Sequence, residues 1–385
     1  MNSRERIFKA LNHEESDKVP YDLGSTQLTG ISVGAYRNLR NYLGLPDEKI
    51  GLSDSIQQLA MPSEDLLETL EVDTRGLFSL TSHNWNVEEQ LQDAGSNWEY
   101  HDEWGLIHHF PKENGHWYTI VKNPLSDITP DSQIIKGYSW PDAADKRRIE
   151  GLREKAIQYR DQGKAIVLKG LCAGLFEMMQ RLRGMENALM DPMLYPQFSD
   201  LLIGKLADLK IEFWQMALRE LHDVVDIVVE ADDYGTQTSQ LISPDQFRQV
   251  FKPHLKRVLE AIKIETPDAY LFFHSCGSVR SIIPDFIEMG VDILNPVHIR
   301  AEGMEPKGLK KDFGHEITFW GGGVDTQGIL PNGTPEEVAD DVKRNIEALS
   351  PGGGFVFNTV HNIQSEVPVE NIMAMWKTLQ EYGIY

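Results

Sequence analysis

The chain is poor in cysteine: Cys172 and Cys276 are the only two in 385 residues. Two thiols cannot build a disulfide framework, so a metal-binding or catalytic use is the better reading of a residue this rare. Positive charge is scarce as well. Thirty-seven Lys and Arg stand against 59 Asp and Glu, a formal net charge of -22. Such a surface repels phosphate backbones, which argues against nucleic acid as a partner. It equally disfavours a polyanionic substrate unless a local arginine cluster overrides the field. Apolar runs are short. None approaches the roughly 20 residues of a membrane span, and Met1-Asn2-Ser3-Arg4-Glu5-Arg6 has no apolar signal core. A soluble, cytoplasmic protein with no membrane partner is expected. Internal repeats and low-complexity tracts are missing too, and the composition (41% hydrophobic, 25% charged, 9% aromatic) leaves no room for a long disordered tail.

What the sequence does contain is a regular alternation of short apolar runs with amphipathic stretches, the βα signature of a parallel sheet. Eight strands are expected, at Val19–Gly24, Val72–Ser79, Ala165–Gly170, Val224–Glu230, Tyr270–Ser275, Asp292–Val297, Ile317–Gly322 and Gly354–Val360. Ser243-Pro244-Asp245-Gln246 and Thr334-Pro335-Glu336-Glu337 read as capping boxes with proline at the first helical position. Pro368 opens a final helix through Ile372, Met375 and Leu379. The length permits one large barrel or two ordinary domains. Eight strands with intervening helices favour an α/β fold, a (β/α)8 TIM barrel spanning 1–385, with chemistry at the C-terminal strand ends. Leu80 to about Trp140 breaks the rhythm. Its aromatics, turns and alternating stretches (Ile107–Phe110, Trp117–Val121) predict a β-rich insertion after the second strand, either a lid or partner surface or a solvent-facing hairpin.

The most informative motif ends the expected strand Tyr270–Ser275: His274-Ser275-Cys276-Gly277. Alternation places the imidazole and the thiol on one face, which is half of a zinc site. Other strands end on chemistry too: Glu230, Asp232 and Asp233; His298; Asp325; and His361. Each has a plainer reading. An isolated H-x-C is usually coincidence, and His361 can be a polar residue entering a loop. Asp232 and Asp233 can be capping or solvated residues, or functional for one of them. Cys172 is read as a packed core thiol. Gly321–Gly323 and Gly352–Gly354 match no phosphate-binding pattern and fit tight strand geometry.

Taken together these motifs resemble the uroporphyrinogen decarboxylase superfamily. The resemblance runs from Arg4-Glu5-Arg6-Ile7 to Asn371. It is most specific in His274–Gly277 with Gly290-Val291-Asp292, in Phe319–Gln327, in Gly352–Gln364, and in Val367-Pro368-Val369-Glu370-Asn371. It implies the same barrel. True decarboxylases of that superfamily carry an R-Q-A-G-R motif after the first strand. Here that place reads Asp22-Leu23-Gly24-Ser25-Thr26-Gln27, without arginine. The other large branch comprises cobalamin-dependent methyltransferases, whose zinc-binding members use an H-x-C and a third ligand, usually Cys, near the last strand. The downstream P-x-E-N places His361 there, a departure that leaves a His-Cys-His set.

The resemblance therefore implies zinc held by His274, Cys276 and His361, and a corrinoid (cobalamin) carried by a separate corrinoid-binding protein. With one thiolate fewer, thiol activation is weakened and a phenyl methyl ether, as in O-demethylase systems, is favoured. Glu230 or Asp233 is expected as fourth ligand or proton donor, with His298 as an alternative donor. A homodimer is also implied. The competing classes are a metal-independent decarboxylase or lyase, and a non-catalytic binding barrel.

Overall fold

The computed structural model describes residues 1–85 and 90–385. Seven parallel strands form one curled sheet in chain order: β1 (Thr74–Leu77), β2 (Ala165–Lys169), β3 (Ile227–Ala231), β4 (Tyr270–His274), β5 (Ile293–Asn295), β6 (Thr318–Trp320) and β7 (Phe355–Val356). The gap between β7 and β1 is filled by the first expected strand, which is not a regular strand. Tyr21 makes a single parallel bridge to Phe357, and its carbonyl accepts the Asp73 N–H at 2.9 Å. Pro20 has no N–H to offer a ladder, and Gly24 turns left-handed at φ 75°, so pairing is limited to about one residue. The barrel still closes, as the eight-strand expectation requires.

Strand alternation sorts the interior. Ala165, Val167, Ile227, Val229, Phe272, Ile293, Trp320 and Val356 form a small core inside the barrel. Their neighbours in sequence, such as Leu168, Val228 and Phe273, face outward into the larger core beneath the helices. Helix α1 (Ser3–Leu11) supplies Ile7, Ala10 and Leu11 to the inner core. It hydrogen-bonds to Gly163 and Gly354, just before β2 and β7, and so plugs the N-terminal end of the barrel. Only the C-terminal rim is left for chemistry.

The outer helices that matter below are α2 (Leu175–Arg183), α3 (Pro196–Leu221), α4 (Lys252–Glu265), α5 (Pro335–Leu349) and α6 (Val369–Tyr382). Thr334 and Glu337 cap α5 reciprocally. Ser243 is only half a box: its hydroxyl accepts the Gln246 N–H at 3.1 Å. Pro368 is the N-cap of α6. No helix among the described residues is long and apolar enough to cross a membrane.

The insertion is a four-stranded antiparallel sheet of Gln92–Ala94, Asn97–His101, Ile107–Pro111 and Thr119–Lys122. Tyr100 lies opposite His108, and their rings stack at 4.7 Å. In the turn between the second and third of these strands, the Asp102 carboxylate accepts the Trp104 and Leu106 N–H groups and meets His108 Nε2 at 3.0 Å. That turn points Trp104 and Leu106 at the barrel mouth.

Candidate metal centre

His274 ends β4 with inward parity, like Phe272 two residues earlier. Its Nδ1 lies 2.5 Å from Asn295 Oδ1. The Asn295 amide is oriented by its other end, where Nδ2 donates to the Trp320 carbonyl at 2.7 Å. The Asn295 oxygen therefore faces His274, which places the ring proton on Nδ1 and leaves the Nε2 lone pair free. Cys276 Sγ is 3.4 Å from that nitrogen.

The loop beyond β4 is held closely. The Cys276 N–H donates to Asp233 Oδ1 at 2.8 Å, and the Gly277 N–H donates to His298 Nδ1 at 3.0 Å. Gly277 sits at φ 81°, where a Cβ would come 2.4 Å from the Gly235 carbonyl carbon. Only glycine fits this crossing of two loops.

His361 arrives from the other side of the mouth. Its loop is fixed by Asn358 Nδ2 on the Asp22 carbonyl (3.0 Å) and by the Gly30 N–H on Asn362 Oδ1 (2.6 Å). Between them, Thr359 Oγ1 donates to the His361 carbonyl at 2.5 Å. The His274 and His361 rings are 5.9 Å apart. One ligand atom from each of His274, Cys276 and His361 lies within 4.8 Å of the other two.

Burial, then the neighbouring His274 and His298, pull the His361 imidazole down to about 3. Burial also lowers His274. Burial, reinforced by Asp233 and Glu177, pushes the Cys276 thiol well up. Two neutral imidazoles and a thiol thus converge. Neutral imidazole is the ligating form, and a metal ion would draw the proton off the thiol. The nitrogen and sulfur donor set fits zinc.

The remaining expected residues divide by strand parity. Asp233 points inward, lines the cavity and lies 3.6 Å from His274 Nε2. Glu230 points outward instead, between β3 and α3. One carboxylate oxygen accepts from Lys210 Nζ and the other from Trp214 Nε1, both at 2.6 Å. It is an ion-paired core residue, removed from the cluster. His298 has both nitrogens engaged, Nδ1 by Gly277 and Nε2 at 3.0 Å from the Gln237 amide. Asp232 caps α2, accepting the Phe176 and Glu177 N–H groups and the Tyr234 hydroxyl. Cys172 is half-buried, packed against the larger core and at the edge of the cavity. The triple glycine is structural: a Cβ on Gly323 would enter the Phe357 ring at 2.4 Å.

A cavity of about 330 Å³ adjoins the cluster, with His274, His361 and Asp233 in its wall. Five charged residues there are absent from the expected set: Asp54, Asp102, Lys169, Glu177 and Arg181. Lys169 ends β2 with the same inward parity as Ala165 and Val167, a signal present in the sequence. Glu177 and Arg181 lie one turn apart on α2, whose approach to the mouth depends on tertiary packing. Burial, then the charge of Asp233, pushes the Glu177 carboxyl up.

Residues 125–382 match the model of a protein family described as Uroporphyrinogen decarboxylase (URO-D). A methylcobamide:CoM methyltransferase (MtbA) of Methanosarcina acetivorans is 22% identical over 271 residues, covering 69% of this chain and 71% of the relative. A uroporphyrinogen decarboxylase of Chlorobium limicola is 22% identical over 268 residues, covering 66% and 67%. Among solved structures, a methyltransferase from Methanosarcina mazei superposes with a TM-score of 0.60 at 18% identity, covering 99% of both chains. At that identity the superposition speaks for the fold.

Proposed function

The chain belongs to the uroporphyrinogen decarboxylase family, and from that premise we propose that it is a zinc-dependent methyltransferase working with a corrinoid-binding protein. The observation that carries the reading is the convergence of His274, Cys276 and His361 at the C-terminal barrel mouth, beside a cavity of small-molecule size. Methyltransferase relatives support it. The first-strand segment Asp22–Gln27 supports it too, since no arginine stands there for a porphyrin's carboxylates. Asp22 itself is fully buried and is hydrogen-bonded by Thr74 and Trp320.

Zinc on His274, Cys276 and His361 supplies a Lewis acid toward the methyl-bearing heteroatom, while the corrinoid of the partner is the other party to methyl exchange. One thiolate and two imidazoles give a ligand set that neutralises less of the ion's charge than two thiolates would. That favours an oxygen leaving group, such as the phenolate of a phenyl methyl ether, over activation of a thiol. Asn295 fixes the His274 tautomer, and Asp233 positions Cys276 through its backbone. Glu177 faces the cavity with a carboxyl whose hold on a proton is strengthened by burial and by Asp233, which makes it the group placed to protonate a departing phenolate. Trp104 and Leu106 wall the mouth against water.

The test is anaerobic incubation of zinc-loaded protein with cob(I)alamin and 2-methoxyphenol, read as methylcobalamin formation. The wild type is expected to form it and Cys276→Ser is not. Methylation of a thiol by methylcobalamin, with no reaction of aryl ethers, would overturn the ether assignment.

A further inference from the structure

The cavity beside the three ligating side chains is lined by charges of both signs, and these differ in whether they already have partners. Each acid has taken up hydrogen bonds. Asp54 Oδ1 accepts the Gln57 N–H at 2.8 Å, and Asp233 accepts the Cys276 N–H. Asp102 holds the Trp104 and Leu106 N–H groups and His108. Glu177, the least engaged, has the Gly174 N–H at 3.5 Å. The cations are different. Among the described residues, Lys169 Nζ makes no hydrogen bond and no ion pair. The Arg181 guanidinium has only the Glu177 carboxyl, at 3.7 Å.

Several cations elsewhere among the described residues that are held away from water have acid partners, Lys210 with Glu230, Arg183 with Asp191 and Lys252 with Asp285, and Lys310 at least bonds the Gly353 carbonyl. Holding an ammonium even partly away from water without a partner is costly, and burial accordingly lowers the Lys169 amine, opposed by the charge of Asp54 across the cavity. A chain of net charge -22 that nonetheless turns an unpaired Lys169 and an Arg181 with a single distant carboxyl partner into one cavity offers negative charge a place there.

We propose that this cavity takes a small acid, its single carboxylate received by Lys169 and Arg181 and its methyl-bearing or methyl-accepting end directed at His274 and His361. The inference deepens the methyl-transfer reading of the site and rests on it for what happens at that second end. Trp104, Leu106 and Met178 offer the body of the ligand an apolar wall. The 330 Å³ volume is at the lower limit of ligand cavities, which run from about 300 Å³ upward, so a one-ring acid is the appropriate scale.

The test is calorimetric binding of 4-methoxybenzoate and of its neutral counterpart 4-methoxybenzyl alcohol, without corrinoid, to the zinc-loaded wild type and to Lys169→Met, Lys169→Arg and Arg181→Met. Wild type is expected to favour the acid by about tenfold or more, close to 1.4 kcal/mol. Lys169→Met should abolish that preference while changing the alcohol's affinity less than about twofold, and Lys169→Arg should restore most of it. Arg181→Met should weaken the acid alone. Lys169→Met removes a half-buried charge that has no partner, so its melting temperature should not fall.

Equal affinity of wild type for both compounds, no binding of the acid, or an undiminished preference in Lys169→Met would overturn the proposal. The same titration on Cys276→Ser separates it from the metal assignment. Retention of the preference there supports Lys169 and Arg181 as the anion site whether or not zinc binds. Its loss there, with Lys169→Met unaffected, places the anion on the metal and overturns the proposal.

Discussion

Glu230 stands at a strand end, where catalytic carboxylates of barrels are found, yet its geometry assigns it to stability. Its side chain and that of Lys210 are 2% and 1% exposed, with 2.6 Å between charged atoms. At an effective dielectric near 20, their attraction is about 6 kcal/mol, offset by several kcal/mol of desolvation for each ion. Removing one partner leaves the other charge buried and unmatched, which costs about 3–5 kcal/mol. Lys210→Met should therefore destabilise by that amount. Glu230→Gln, which keeps an acceptor for Trp214, should also destabilise, toward the lower end.

Unfolding entropy near 2.1 cal/mol/K per residue over 385 residues amounts to about 0.8 kcal/mol/K. The melting temperature of Lys210→Met should fall by about 4–6 °C, with the urea midpoint falling in proportion. The double variant Lys210→Met/Glu230→Leu should recover most of the loss, because no lone charge is left. Metal content and methyl-transfer rate of folded Glu230→Gln should stay within a few-fold of wild type. If Glu230→Gln melts like wild type but has lost activity by orders of magnitude, the assignment to the core is wrong and Glu230 belongs to the chemistry.

Two further predictions follow from the residues around the cluster. Asn295→Ala, which frees the His274 tautomer, should weaken zinc affinity by about 10–100-fold in a chelator competition, and Asn295→Asp, which keeps an acceptor at Nδ1, should weaken it less. Asp232 is fully buried, and that burial, then the charge of Glu177, pushes its carboxyl up to about 7. A raised folded value means its contribution is complete below the unfolded value near 4 and is lost as pH rises through about 7. The melting temperature of wild type relative to Asp232→Asn should fall between pH 5 and 8.5, and a difference independent of pH would refute the assignment.

The parts of this fold that were legible in the sequence are those with strict local periodicity. His274 and Cys276 share a face because strands alternate, and that holds whatever surrounds them. The run Ala165–Gly170 and the alternating stretches near Ile107 and Thr119 were legible for the same reason. Parity, carried further, would also have turned Glu230 away from the mouth: Ile227 and Val229 face in, so Glu230 must face out. Strand-end position alone concealed this.

Lys169 had the right parity, but a lysine at a strand end ordinarily reads as solvated. That its amine lacks a partner is a property of the folded neighbourhood alone. Glu177 and Arg181 reach the mouth because Asp232, 55 residues beyond Glu177, caps their helix, and no local pattern encodes that. The first stave was placed correctly but overextended, since Pro20 and Gly24 leave it one bridge.

The central claim is that His274, Cys276 and His361 are one metal site, and elemental analysis of the purified protein tests it most directly. Wild type is expected to carry about one zinc per chain, with Cys276→Ser and His361→Ala each carrying far less after identical preparation. Less than about half an equivalent in wild type after growth with zinc, or full zinc retained in Cys276→Ser, would contradict it.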